Sequence, residues 1–142
     1  MGQRLLRQGE RDLKTARKPL HPETYYAAAS FAHQAAEKAL KGAYWCLRGE
    51  ELPWKHDLVR CTDLLSERIG APPSGVQEAV ERLQPVYDES RYPSGNVNEP
   101  IPADLIGRED AEAAVRLAEE VIAWVRVLLQ QQFNGGPPMT HC

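Results

Sequence analysis

Between Ala29 and Gly42 the chain sets small and apolar residues around most of a helical circumference and leaves one narrow polar strip of Gln34, Lys38 and Lys41. At about 100° per residue, Ala29, Ala32, Ala36, Leu40, Ala43 and Leu47 line one face, and Phe31, Ala35, Ala39, Gly42 and Cys46 line the adjacent one. A helix with that cross-section is unstable on a surface and requires several neighbours. Small side chains let helix axes approach closely, so tight packing against the fifth helix, and a subunit contact, are expected. The alanine content also gives intrinsic helix propensity, so packing is not asked to rescue a poor helix.

The rest of the chain agrees with an all-α, up-and-down helical bundle of about five helices. The first is expected over residues 4–16, stopped by Pro19 and Pro22. The second runs from about Pro22 to Arg48, with Gly49 as its stop. The third covers about Asp57 to Ile69, with Asp57 as cap. The fourth follows from Ser74 as cap to about Ser90, presenting Val76, Val80, Leu83 and Tyr87 on one face, with Pro85 set to kink or shorten it. Residues 91–104 hold three prolines and form a long irregular connection, which in compact domains is more often functional or mobile. The fifth helix, about Arg108 to Gln131, carries two apolar stripes: Ala111, Val115, Ala118, Ile122, Val125 and Leu129, beside Ala114, Leu117, Val121, Trp124 and Leu128. Residues 1–132 therefore read as one bundle and 133–142 as a disordered tail.

Charge divides the chain unequally. The net charge is −3, which argues against general nucleic-acid binding through many phosphates. Yet residues 1–18 carry six basic and two acidic side chains, and the remainder eleven basic and eighteen acidic. Arg4, Arg7, Arg11, Lys14 and Lys18 recur at helical steps, opposite Leu6, Gly9, Leu13 and Ala16, and form either a solvated face or a cationic ridge for an acidic or phosphate-bearing partner. No apolar run approaches the roughly 18 residues a bilayer needs, and no signal-peptide pattern is present. The three cysteines, Cys46, Cys61 and Cys142, stand at spacings that make neither a disulfide framework nor a zinc site. A reducing cytoplasm is the expected setting.

Several polar residues invite a site. Glu37 and Lys41 lie at i,i+4 in the favourable order, as do Gln34 and Lys38, but such a pair is worth only about 0.2–0.5 kcal/mol on an exposed helix. His33 and Glu37 share that spacing without a second ligand pair, so no metal is expected and a core histidine bonded to Glu37 is. His56 precedes a cap, where a structural hydrogen bond competes with a ligand or catalytic role. Arg91 beside Tyr92 can bind phosphate and stack on a base. Equally, Arg91 can pair with Asp88 or Glu89 while Tyr92 plugs the bundle. No phosphate-cradling glycine loop, nucleophile elbow or paired-carboxylate site is found, and no cofactor is indicated.

Four segments in order carry a resemblance. Leu6-Arg7-Gln8-Gly9-Glu10-Arg11-Asp12-Leu13 resembles the opening helix of HEPN domains, with Gly9 where alanine is usual. Ser30-Phe31 followed by Gln34 to Lys41 is similar to their second-helix signature, and His56-Asp57-Leu58 and Arg91-Tyr92-Pro93 fall where the family has equivalent elements. The resemblance covers about residues 4–130. It implies a helical bundle that commonly forms homodimers. It further implies association with nucleotide or RNA, often beside a nucleotidyltransferase in toxin–antitoxin pairs, or as a terminal domain of large chaperone-like proteins. Some members are metal-independent ribonucleases with Arg, four to six residues, then His. Here Arg17 to His21 leaves three residues between and Arg48 to His56 leaves seven, so the motif is missing. The leading expectation is a non-catalytic, homodimeric module that binds a nucleotide-like anion or a nucleotidyltransferase partner through Lys38, Lys41, Arg91 and Tyr92, with the helix-one ridge as a second anionic-partner surface. One alternative is a ribonuclease using His56 and Arg91 as an unorthodox pair; another is a pure dimerisation scaffold.

Overall fold

The structure, a computed structural model, describes residues 1–18, 21–131 and 141–142. These form seven α-helices: α1 (Gly2–Ala16), α2 (Tyr25–Arg48), α3 (Leu58–Ile69), α4 (Ser74–Leu83), α5 (Val86–Arg91), α6 (Pro102–Leu105) and α7 (Arg108–Gln131). A 3-10 turn, Pro22–Thr24, leads into α2, and no strand occurs among the described residues. No described helix is long and apolar enough to cross a membrane.

The alanine-rich rod is central, as its composition demands. Helix α2 lies mainly against α1 and α7, with α3 and α5 on its remaining sides and α4 packed on α7. Ala32, Ala35, Ala36, Ala39 and Ala43 are fully buried within this single chain. The small residues of α2 are thus consumed by its own neighbours, and the expected α2 subunit contact finds no surface there. The approach to α1 is closest at glycines. A Cβ on Gly9 would stand 2.8 Å from the Ala35 carbonyl oxygen, and one on Gly42 only 2.7 Å from the Gly2 carbonyl oxygen. Helix α2 ends as expected, with Gly49 in the left-handed region (φ 71°) and its N–H donating to the Trp45 carbonyl.

The other expectations divide. Leu6, Gly9, Leu13 and Ala16 form the buried face of α1, and the two stripes of α7 are buried apart from the half-buried Leu117. Asp57 caps α3, its side chain accepting the Arg60 N–H at 3.1 Å. Ser74 does not cap α4; it is already helical and Pro73 precedes it without a side-chain bond. Pro85 divides the expected fourth helix into α4 and α5, because a proline ring cannot continue the α4 hydrogen-bond ladder. Part of the long connection closes into the single turn α6.

The cysteine expectation needs correction. Cys46 and Cys142 are disulfide-bonded across a sequence separation of 96. The His141 N–H donates to the Cys46 carbonyl at 3.2 Å, so the last two residues rest on the C-terminal half of α2. Sequence spacing carried no sign of this, since the bond depends on the chain returning to α2. Cys61 is free and buried, and burial pushes its thiol up to about 12, which leaves it inert. Most of the expected disordered tail, residues 133–140, lies outside the described residues.

Candidate functional site

The site is built by one side-chain cap. Gln84, at the end of α4, turns its Oε1 to the N–H groups of Leu58 (2.6 Å) and Val59 (3.2 Å). Those are orphan donors at the start of α3, and satisfying them ties the α3 N-terminus to the α4–α5 junction. Two residues before Leu58 stands His56; three residues after Gln84 stands Tyr87. The cap therefore brings the two rings together, stacked at a centroid distance of 3.7 Å and an interplanar angle of 13°.

His56 is held from a second direction by α2. The buried Glu37 carboxylate accepts the His56 backbone N–H, and its Oε1 lies 3.2 Å from His56 Nδ1. A carboxylate can only accept, so Nδ1 carries a proton, and in the neutral tautomer this selects, Nε2 holds the lone pair. Lys41 Nζ supports Glu37 at 3.7 Å. These contacts hold His56 at φ 62°, the one described non-glycine residue with positive φ. That conformation costs of order 1–2 kcal/mol, and such residues gather where a side chain must be aimed.

Helix α5 completes the cluster. The Arg91 guanidinium lies 4.8 Å from the Tyr87 ring centroid, and the Tyr92 ring is 6.3 Å from Tyr87. The alternative arrangement of Arg91 and Tyr92 does not occur. Among the described residues no carboxylate lies within ion-pair distance of Arg91, and Tyr92 is 57% exposed instead of plugging the bundle. Arg91 stands at the mouth of a cleft of about 340 Å³ whose walls include Tyr26, Phe31, Gln34 and Ser90. Beneath the cluster, His33 is fully buried, its ring 5.4 Å from Tyr87 and 6.5 Å from His56. Neither ring nitrogen has a hydrogen-bond partner, so the expected bond to Glu37 is not formed; Glu37 is engaged by His56. Burial first, opposed by the Glu37 charge, lowers the His33 pKa from 6.5 to about 4. The imidazole is neutral at neutral pH.

Of the four residues expected to share a ligand, the structure gathers three unequally. Arg91 and Tyr92 are exposed neighbours at the end of α5, and Lys41 reaches the cluster only through Glu37. Lys38 turns the other way and pairs with the buried Asp12 of α1, which Gln8 also bonds at 3.0 Å. His56 and Arg91, far apart in sequence, each pack against the Tyr87 ring. The ridge of Arg4, Arg7, Arg11, Lys14 and Lys18 is fully solvent-facing, without an ion pair among the described residues. Sequence reading missed Tyr87, Gln84 and the Glu37–His56 link. Periodicity assigns Tyr87 to the apolar face of helix four, and only the break at Pro85 frees it. No group of His, Cys, Asp or Glu among the described residues could hold a metal.

Comparison with known proteins places this geometry. A crystal structure of TT1696 from Thermus thermophilus superposes with a TM-score of 0.76 at 31% identity, covering 89% of this chain and 96% of that one. The crystal structure of ST0689, described as an archaeal HEPN homologue, does so with a TM-score of 0.67 at 28% identity, covering 89% and 95%. No curated protein matches the chain. The family model of the HEPN domain matches residues 3–128. With that match spanning nearly the whole bundle, this chain belongs to the HEPN domain family.

Proposed function

We propose that the protein is a binding module for a nucleotide-like anion, held at the cleft beside Arg91. The carrying observation is the exposed Arg91 guanidinium, stacked on Tyr87 and without a described carboxylate, at the mouth of a cleft walled by Tyr26 and Phe31. A planar guanidinium recognises phosphate oxygens through paired donors, and aromatic walls accept a base by stacking at about 1–3 kcal/mol per base. Tyr92 and the Lys41–Glu37–His56 chain adjoin Arg91 through the Tyr87 ring and do not line the cleft; Lys38, bonded to Asp12, contributes to the fold in place of the site. Titration calorimetry with nucleoside triphosphates tests this reading. Saturable binding that Arg91→Ala weakens supports it, and no heat at millimolar ligand in the wild type refutes it.

A second reading is favoured by one observation, the Glu37–His56 hydrogen bond. A carboxylate on Nδ1 orients an imidazole and leaves Nε2 to take a proton, as general-base chemistry on a ribose hydroxyl requires. Arg91 would then neutralise charge building on the phosphate. This is metal-independent RNA cleavage by a pair other than the family's Arg–His motif. Cleavage of single-stranded or structured RNA that vanishes in His56→Ala would establish it over simple binding.

Homodimerisation and a nucleotidyltransferase partner belong to the same proposal. Tyr92, Val97, Ile101 and Leu105 are all more than half exposed around α5 and α6, and exposed apolar side chains in this part of the chain support an interaction surface there. Ile101→Glu with Leu105→Glu should dissociate a dimer in sedimentation if that patch is its seam. The Cys46–Cys142 disulfide removes the ground on which a reducing cytoplasm was expected. Disulfides persist mainly in oxidising compartments, so thiol trapping of Cys46 and Cys142 in intact cells bears on the compartment directly.

A further inference from the structure

The Lys18 end of the α1 ridge meets the opening turns of α7 at a second cleft of about 380 Å³. Arg17, Lys18, Arg108 and Arg116 line it, with Glu112 as the single carboxylate in the lining, over the buried Ala16 and Val115. None of these residues borders the Arg91 cleft. In a chain of net charge −3, four cations around one cavity make a local excess of positive charge.

Stability does not account for it. Arg108 is the first residue of α7, where the helix dipole disfavours a cation. Its bond to Glu112 (3.1 Å) is an exposed i,i+4 pair, which adds little to stability. Arg17 is anchored to Glu119 at 2.8 Å. Those two contacts fix the guanidiniums at the cleft edge, while Lys18 and Arg116 have no described carboxylate in range. Like charges facing one cavity repel unless an anion enters. We infer that this cleft binds an oligophosphate group, contacted by Lys18 and Arg116 and flanked by the anchored Arg17 and Arg108. The ridge of Arg4, Arg7, Arg11 and Lys14 leads to it along α1 and supplies a steering field.

Titration of inorganic tripolyphosphate into the whole protein tests the assignment, alongside Lys18→Ala/Arg116→Ala and Arg91→Ala variants. Both altered cleft residues are exposed, and unchanged thermal melting confirms that the variants fold. The expected result is saturable binding whose component at this cleft falls about tenfold or more in the double variant and weakens with salt, while Arg91→Ala lowers only a component that belongs to the other cleft. ATP competing where AMP does not identifies the phosphate chain as the recognised group, free or carried by a nucleotide. Absence of saturable binding in the wild type overturns the inference. So does binding abolished by Arg91→Ala but not by the double variant, which would assign the phosphate to the other cleft.

Discussion

The seam between α1 and α2 and the corner where His56 meets α5 are built on opposite terms. At the seam the buried Asp12 is answered by Lys38 and Gln8, and glycines let backbone meet backbone. At the corner a buried imidazole has no partner, a histidine sits at positive φ, and a guanidinium covers a tyrosine ring without a described counter-ion. The seam spends its residues on cohesion. The corner holds its residues in conformations that cohesion alone would not select, which is the pattern of a surface kept for a ligand.

The largest expected effect would break the comparison at the seam. Lys38→Met leaves the Asp12 carboxylate, almost wholly buried, with only Gln8, and should destabilise by about 3 kcal/mol in urea unfolding. Adding Asp12→Leu should recover most of that loss, because the unpaired charge is then gone. Nucleotide titration of the Lys38→Met protein should be unchanged. A weakened titration with stability intact would return Lys38 to the ligand side.

Next comes an acid test of the corner. The His33 ring has a pKa of about 4 when folded, against an ordinary 6.5. The unfolded chain therefore protonates first as pH falls. The stability contributed by a neutral His33 is complete above pH 6.5, declines through that value, and is gone once pH passes below 4. At pH 5 the loss is about 2 kcal/mol from this group alone. Glu37, His56, Asp88 and Arg91 set the local field, with Glu37 the largest opposing influence. His33→Phe should flatten the urea midpoint between pH 7 and 5, and an unchanged slope in that variant would move the acid sensitivity elsewhere.

How far the sequence carried the reading follows from what periodicity encodes. It states which face of a helix is buried, so α2 as a central rod, the two stripes of α7 and the buried side of α1 were all legible. Local chemistry was legible too: the Asp57 cap and the Glu37–Lys41 pair lie within a turn of one another. Partners chosen by packing were not. Lys38 looked like a free cation until α1 delivered Asp12, and Cys46 like a free thiol until the C-terminus delivered Cys142. The Tyr87–His56 stack depends on a glutamine capping a helix 26 residues earlier, a contact no window of sequence contains.

Gly42→Ala sharpens the seam at smaller scale. The added methyl would meet the Gly2 carbonyl oxygen at 2.7 Å and the Leu6 nitrogen at 3.2 Å, both backbone atoms that yield only if α1 shifts. Overpacking of this kind costs about 1–2 kcal/mol, which at this chain length lowers Tm by roughly 3–7 °C. Alanine's better helix propensity offsets up to about 1 kcal/mol of it. A Tm equal to or above wild type would show that α1 rides further from α2 than these distances state.

The smallest expected effect is the most discriminating at the corner. Alanine and glycine at position 56 both remove the imidazole, its stack on Tyr87 and its Nδ1 bond to Glu37. Both keep the backbone N–H that Glu37 accepts. They differ in the backbone: at φ 62° alanine retains the left-handed penalty, whereas glycine adopts that conformation freely. Glycine also gives the unfolded chain more freedom, which at an ordinary position makes it the less stable of the two by about 0.5–1 kcal/mol. Here the order should reverse, His56→Gly lying above His56→Ala by up to about 1 kcal/mol in urea unfolding. An alanine variant more stable than the glycine one would mean that the backbone at His56 is relaxed, and the contrast with the seam would lose its clearest element. If the reversal holds, His56→Gly is the variant of choice for RNA cleavage and nucleotide titration, since it deletes the ring while leaving the loop able to keep its course.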